Sequence, residues 1–308
     1  MSHLYDVIIL GGGPSGCTAA LYCARTGLDA LLLEQLAPGG QMALTTRVDN
    51  YPGFADGIDG FTLGEAMWKT AARFGAAMQT AEVRRAVLNA PVRTFETDGG
   101  ILHSRAAILA TGAVPKPLGL PGEEALLGRG VHHCAACDGM AYRDKVVAVV
   151  GGGNTAAADA LLLSRLCKRV VLIHRRDVLR AEQAVAAPLF RRVNLEFRWN
   201  TAVTGLLGGE HLDGLRLRDL KSGLDTVLPC DGVFVSIGRR PATDLFRNQL
   251  ALDDAGYVLA GETTETNLPG VFAAGDLRTK PLRQIVTAAS DGAVAAHFAA
   301  EYLSAISR

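Results

Sequence analysis

The chain has 308 residues, 49% hydrophobic and 20% charged, with 31 basic against 31 acidic side chains and no formal net charge at pH 7. That length allows more than one packed core, and the balanced charge argues against nucleic acid or an anionic membrane surface as the main partner. Its 35 glycines and few aromatics favour an α/β protein with several glycine turns.

The opening Met1-Ser2-His3-Leu4-Tyr5-Asp6 has no basic region and does not read as a signal peptide. Residues 7–24 are uncharged until the helix end, but Gly11-Gly12-Gly13-Pro14 and Gly16 break them into strand, turn and helix, so no membrane span is expected. Val7-Ile8-Ile9-Leu10 has the continuous apolar character of a buried parallel strand. The turn Gly11-Gly12-Gly13-Pro14-Ser15-Gly16 follows, then a helical pattern and a second strand ending at Glu34. A strand, G-x-G-x-x-G, a helix and an acid about 20 residues on form a dinucleotide-binding unit: backbone meets a pyrophosphate and the carboxylate takes ribose hydroxyls. An acid there repels a 2′-phosphate, so the ligand expected is FAD or NAD.

Pro38-Gly39-Gly40-Gln41 is a turn before a polar segment with Thr45-Thr46 and Asn50-Tyr51-Pro52-Gly53. Such a segment could set Gln41 and Asn50 against a planar ring, or be an ordinary loop. Leu63, Met67, Ala71 and Phe74 mark an amphipathic helix facing the core. Strand-like pieces fill residues 80–105, and a buried strand over 106–110 stops at Thr111-Gly112. Pro115, Pro117 and Pro121 then suggest a crossover.

Cys134-Ala135-Ala136-Cys137-Asp138 stands apart from the other four cysteines, which sit in apolar text and read as buried small hydrophobes. Thiols at this spacing can close a disulfide and form an acidified pair, and an adjacent carboxyl can shuttle the proton. Half of a zinc site, or two inert cysteines, are the alternatives. His132-His133 before the pair are expected to be exposed polar residues, or else to tune the thiols. The absence of a secretory disulfide framework points to a cytoplasmic chain.

The architecture then repeats. A buried strand over 146–150 leads into Gly151-Gly152-Gly153-Asn154-Thr155-Ala156, a helix over 157–166 and a strand over 170–173. Where the first unit has Glu34, this one has His174-Arg175-Arg176, with Arg180 close behind. Guanidiniums bind a 2′-phosphate bidentately, so NADPH is expected here. Strand alternation covers residues 195–230, a buried strand 233–238, and Arg239-Arg240-Pro241 reads as a second crossover. A strand ends in Gly275-Asp276, and a helical stretch over 282–303 closes the chain. Its last 60 or so residues are too few for a separate domain, so they must rejoin the first. The expected fold class is α/β, with two Rossmann-like three-layer nucleotide-binding domains, the second inserted in the first: 1–113 with 244–308 for FAD, and 114–243 for NADPH and the dithiol.

Two nucleotide turns of different charge plus one dithiol define a two-electron path, from NADPH through FAD to Cys134–Cys137 and an external disulfide. On the glycine turns, Cys-Ala-Ala-Cys-Asp-Gly, His174-Arg175-Arg176, and Val271-Phe272-Ala273-Ala274-Gly275-Asp276 with Arg283-Gln284, nearly the whole chain resembles the low-molecular-weight bacterial thioredoxin reductases. The resemblance implies a homodimer that reduces thioredoxin or a thioredoxin-like redoxin. It places Gly11, Gly13, Pro14, Ser15, Gly16, Glu34, Gln35, Gly40, Gln41 and Asn50 at FAD. It adds Thr111, Gly112, Gly275, Asp276, Arg283, Gln284 and Ile285 to that site. Gly151, Gly153, Asn154, Thr155, His174, Arg175, Arg176, Arg180, Ile237 and Gly238 fall at NADPH. Cys137 is then the thiol next to the flavin, Cys134 the one that attacks the partner, and Asp138 the acid. It also implies a rotation of the inserted domain about hinges near 111–117 and 238–241. Met140-Ala141 stand where relatives carry aromatics, which implies a different docking pocket and leaves a non-thioredoxin redoxin as the alternative partner.

Overall fold

The computed structural model describes residues 3–45 and 47–306; Met1, Ser2, Thr46, Ser307 and Arg308 lie outside the described residues. In chain order it contains β1 (Leu4–Leu10), α1 (Pro14–Arg25), β2 (Ala30–Glu34), α2 (Gly60–Arg73), β3 (Ala77–Thr80), β4 (Val83–Val87), β5 (Arg93–Thr97) and β6 (Gly100–Leu109). There follow β7 (Ala113–Pro115), β8 (Val131–His132), α3 (Ala135–Asp138), β9 (Val146–Gly151), α4 (Asn154–Leu163), β10 (Arg169–Ile173), α5 (Gln183–Ala186) and β11 (Leu195–Arg198). Last come β12 (Thr201–Gly208), β13 (Leu212–Asp219), β14 (Asp225–Pro229), β15 (Gly232–Ser236), β16 (Arg239–Pro241), β17 (Val271–Ala273) and α6 (Ile285–Ile306). The chain divides into two compact units, Met1–Val114 with Arg240–Arg308, and Pro115–Arg239.

The first unit is built on a seven-stranded sheet, β3-β2-β1-β6-β5-β4, with β17 also pairing β6. The N-terminal half of β6 pairs antiparallel with β5 and its C-terminal half parallel with β17. Successive side chains of β1 point to opposite faces. Val7 and Ile9 pack with Cys17, Ala20 and Cys23 of α1 and Ala295, Ala299 and Leu303 of α6. Ile8 and Leu10 meet Phe95, Phe246, Val258 and Leu277 on the other face. Both faces being covered explains why β1 and β2 read as unbroken apolar runs. Phe74 departs from expectation: it follows the end of α2, is 44% exposed, and carries the Arg73 and Arg25 guanidiniums 5.0 and 5.6 Å from its ring centre.

The second unit has a parallel sheet, β11-β10-β9-β15-β8. One face carries α4 and Tyr142. The other is covered by Leu212, Leu215, Leu217 and Leu228 of the antiparallel sheet β12-β13-β14. The crossover strands β7 and β16 pair with each other. Residues 240–243, expected in the inserted domain, join the first unit: Ala242 donates N–H to Gly112 O at 2.9 Å and accepts from Thr111 Oγ1 at 2.8 Å, and Thr243 Oγ1 donates to Gly256 O at 2.9 Å. Among the described residues no helix is long and apolar enough to cross a membrane.

Candidate active site

In the first unit the chain leaves β1 at Gly11 with φ +104°, which favours glycine, and a Cβ on Gly16 would stand 1.8 Å from Gly11 O. Backbone packs on backbone here, so the turn tolerates no side chain inward. Gly13, which caps α1, faces open space, and Pro14 takes the first helical position, where its missing N–H costs nothing. Glu34 Oε2 accepts the Gly12 N–H at 2.6 Å and Oε1 that of Leu36 at 3.0 Å. Each oxygen keeps acceptor capacity for hydroxyl donors. An open helix N-terminus beside a ready carboxylate suits an adenosine diphosphate without a 2′-phosphate. Gln35 lies exposed beside Glu34, and Gly40 approaches Gly13 closely.

The polar loop folds back on the C-terminal segment. Asn50 Nδ2 donates to Gln284 Oε1 at 2.9 Å, and Gln41 Nε2 donates to Ala113 O. Arg283 donates to Arg278 O at 3.2 Å and lies 4.1 Å from the Tyr257 ring centre, while Ile285 packs with Met42, Val48 and Leu63. Ser15 is buried against the Gly275-Asp276 turn, where a Cβ on Gly275 would come within 2.6 Å of Ser15 Oγ. So residues far apart in sequence converge at the C-terminal ends of β1, β6 and β17.

Beneath that turn lies a buried network that the sequence reading passed over. Asp291 takes Arg278 through both oxygens, 2.8 Å each, with Lys280 Nζ at 2.8 Å and the Gly275 N–H at 2.9 Å on Oδ2. Burial pushes the carboxyl up, but the hydrogen bonds and charges of Arg278 and Lys280 outweigh it and hold its pKa below the usual range. The available signal was two cations soon after Gly-Asp and an acid in the first, otherwise uncharged turns of the last helix.

In the second unit Gly151 and Gly153 play the parts of Gly11 and Gly13, and Gly153 again caps its helix facing open space. Arg180 and Ala181 donate N–H to Gly152 O at 2.6 and 3.0 Å. Asn154 and Glu182 bond reciprocally at 2.9 and 2.8 Å, tying the arginine loop to the glycine turn. Thr155, Arg175, Arg176 and Arg180 are exposed, and among the described residues no carboxylate pairs with the three arginines. His174 differs from them: it is buried against Gly152, where a Cβ would lie 2.2–2.6 Å from its ring. Burial, then the charges of the three arginines, lower its pKa, so the ring is neutral, and its Nε2 has no protein partner. An orphaned buried nitrogen beside three unpaired guanidiniums fits a nucleotide carrying an extra phosphate. Ile237 and Gly238 follow β15 at the exposed edge of this site.

Cys134 and Cys137 form a disulfide with Cα atoms 5.3 Å apart, and the Cys137 N–H points at Cys134 Sγ at 3.2 Å. Among the described residues no cluster could hold a metal ion. Cys17, Cys23, Cys167 and Cys230 are buried free thiols, pushed up to about 12, 12, 11 and 12, chiefly by burial. The expectation of exposed histidines is corrected. His132 is buried, with Nδ1 3.1 Å from Asp138 Oδ2 and Nε2 2.7 Å from the Tyr142 hydroxyl; His133 is half-buried against Val235 O. His132 ends β8, the edge strand that pairs with β15, and sequence alone did not place it there.

Two dinucleotide turns and one vicinal disulfide in separate units are the outfit of a flavin- and pyridine-nucleotide-dependent disulfide oxidoreductase. The family described as Pyridine nucleotide-disulphide oxidoreductase matches residues 5–292. Thioredoxin reductase of Streptomyces clavuligerus is 45% identical, with 99% of this chain and 96% of the relative covered. That of Listeria monocytogenes is 43% identical over 97% and 94%. A solved structure, thioredoxin reductase from Streptococcus pyogenes, is similar at TM-score 0.91 and 36% identity, covering 99% and 100%. The chain therefore belongs to the thioredoxin reductases.

Proposed function

We propose that the protein is an NADPH-dependent flavoprotein reducing the disulfide of thioredoxin or a thioredoxin-like redoxin. The observation that carries this reading is the closed Cys134–Cys137 pair on the same unit as an arginine-lined dinucleotide turn with His174 where the first unit has Glu34. When bound, FAD supplies a two-electron acceptor for the hydride of NADPH and passes the pair to a disulfide. Gly11 and Gly16 let the turn pack backbone on backbone, Gly13 would let it approach the FAD pyrophosphate, Glu34 would accept the ribose hydroxyls, and Asp276, Arg283 and Gln284 would complete that site. Arg175, Arg176 and Arg180 fork onto the 2′-phosphate of NADPH, and Asn154 with Glu182 orients their loop. Cys137 receives the electrons, Cys134 attacks the partner, and Asp138 handles the proton.

Thioredoxin has a potential of about −270 mV, which leaves reduction downhill from NADPH. The protein acts as a homodimer in a reducing, cytoplasmic compartment, consistent with its four free thiols. The unit carrying residues 115–239 rotates about the β7 and β16 crossovers to serve both electron transfers. Met140 is 52% exposed next to the dithiol, so the docking surface there is aliphatic. The test is steady-state reduction of a panel of thioredoxins and glutaredoxins, with NADPH and NADH in parallel. A colourless purified protein, or a disulfide that persists under excess NADPH, would sink the reading.

A further inference from the structure

His132 sits at the end of β8, in register with Phe234 of β15. Phe234 stacks on its ring at 5.3 Å and 26°, and Tyr142 meets it edge-on at 5.1 Å. Its two nitrogens face Asp138 at 3.1 Å and the Tyr142 hydroxyl at 2.7 Å. The groups facing this cluster are Asp138 and Tyr142 on the segment after the dithiol, His133 alongside, Lys145 5.3 Å from the Tyr142 ring centre, and Asp231 and Cys230 ahead of β15. Burial, then the charges of Asp138 and Asp231, pushes the Tyr142 phenol up to about 12, so it keeps its proton at working pH.

A hydroxyl donates to one lone pair and accepts another hydrogen equally well. Tyr142 can therefore donate to Nε2 of the neutral ring or accept from Nε2–H of the imidazolium. Asp138 serves Nδ1–H in both cases. Either charge state of His132 is thus hydrogen-bonded without any movement, unlike that of an ordinary buried histidine, where one state leaves a polar atom unmatched.

We propose that His132 is a positioning residue that stores, behind Asp138, the proton in transit between enzyme dithiol and partner. The inference rests on the reading of Cys134–Cys137 as the disulfide that is cycled. The Asp138–His132 pair takes the Cys134 proton, and the thiolate attacks the partner disulfide. A Cys134–partner S–S bond forms, the partner S–S bond breaks, and its leaving sulfur takes the electron pair and, through Asp138, the stored proton. The pair then takes the Cys137 proton, the Cys137 thiolate attacks Cys134 sulfur, and the intramolecular disulfide re-forms. The partner's second sulfur leaves with the second proton. Two electrons and two protons pass from one dithiol to the other, and no external reactant is needed.

The test compares His132→Asn, which keeps a donor for Asp138 but cannot hold the extra proton, with wild-type holoenzyme. Iodoacetamide alkylation of the reduced enzyme, followed against pH, should show the dithiol titrating about one unit higher, because Asp138 then stands as an uncompensated anion. Turnover should fall about tenfold more with thioredoxin than with a nitrobenzoate disulfide, whose thiolate leaves without a proton. Tyr142→Phe, which preserves the ring packing, should shift both readouts in the same direction by a smaller amount, and decides the matter if His132→Asn does not fold. Unchanged alkylation profiles, or equal losses on the two disulfides, would overturn the relay. Cys134→Ser should abolish reduction of both; reduction surviving in it would overturn the dithiol reading and the relay with it.

Discussion

Asp291 offers the sharpest test of what holds the Gly275-Asp276 turn in place. Its carboxylate and its partners Arg278 and Lys280 are at least nine-tenths buried, with side chains 8%, 6% and 3% exposed. Asp291→Asn keeps the shape but leaves two buried cations with no anion. Removing one partner of a buried ion pair costs about 3–5 kcal/mol, because the remaining charge is stranded. In a unit of this size each kcal/mol moves the melting temperature by about 2–4 °C, so a fall of roughly 6–20 °C is expected. Of the two tryptophans, Trp68 lies in α2 of the first unit and Trp199 in the second, so fluorescence in a Trp199→Phe background reports the first unit alone. The folded pKa of Asp291 is depressed, so its contribution is present above the ordinary carboxylate pKa and is lost as pH falls through the lower folded value. Wild type and variant should differ by a constant amount from pH 5 to 8 and converge in acid below about 4. A shift under 2 °C at neutral pH, or a gap that widens in acid, would refute the reasoning.

Arg175→Ala and Arg176→Ala should each raise KM for NADPH by about 10–100-fold, the worth of a charge-assisted phosphate contact, and leave KM for NADH nearly unchanged. If NADH served wild type as well as NADPH, the role given to these guanidiniums would be wrong. After reduction, a chromogenic thiol reagent should titrate only Cys134 and Cys137 in the native protein, since the other four thiols are buried and pushed up to about 11–12. A third fast-reacting thiol would contradict that burial. Gly16→Ala, whose Cβ would meet Gly11 O at 1.8 Å, should yield protein that does not retain flavin, seen as loss of visible absorbance.

Much of the molecule was legible because its signals are local. A buried parallel strand must be an unbroken apolar run, a glycine turn must follow it where backbone approaches backbone, and the residue closing the next strand sets the charge beside that turn. Those constraints lie within some 30 residues of each other, so Gly11 to Glu34 and Gly151 to Arg176 could be read in sequence. The reading faltered where neighbours are brought together by topology. His132 looks like an exposed polar residue beside the dithiol until β8 is set next to β15, which places Phe234 over its ring.

Sequence by itself settled the two strand–glycine turn–helix units, the charge difference between the segments that follow them and the Cys134–Cys137 pair, because these depend on residue type and short spacing. Only the tertiary structure decided that Asn50 meets Gln284, that Asp291 neutralises Arg278 and Lys280, that residues 240–243 bond into the first unit, and that His132 bridges Asp138 and Tyr142. Each joins groups whose separation along the chain, or whose burial, carries no local signature. A hydrogen bond between distant segments exists only once strand order and packing have brought its two ends together.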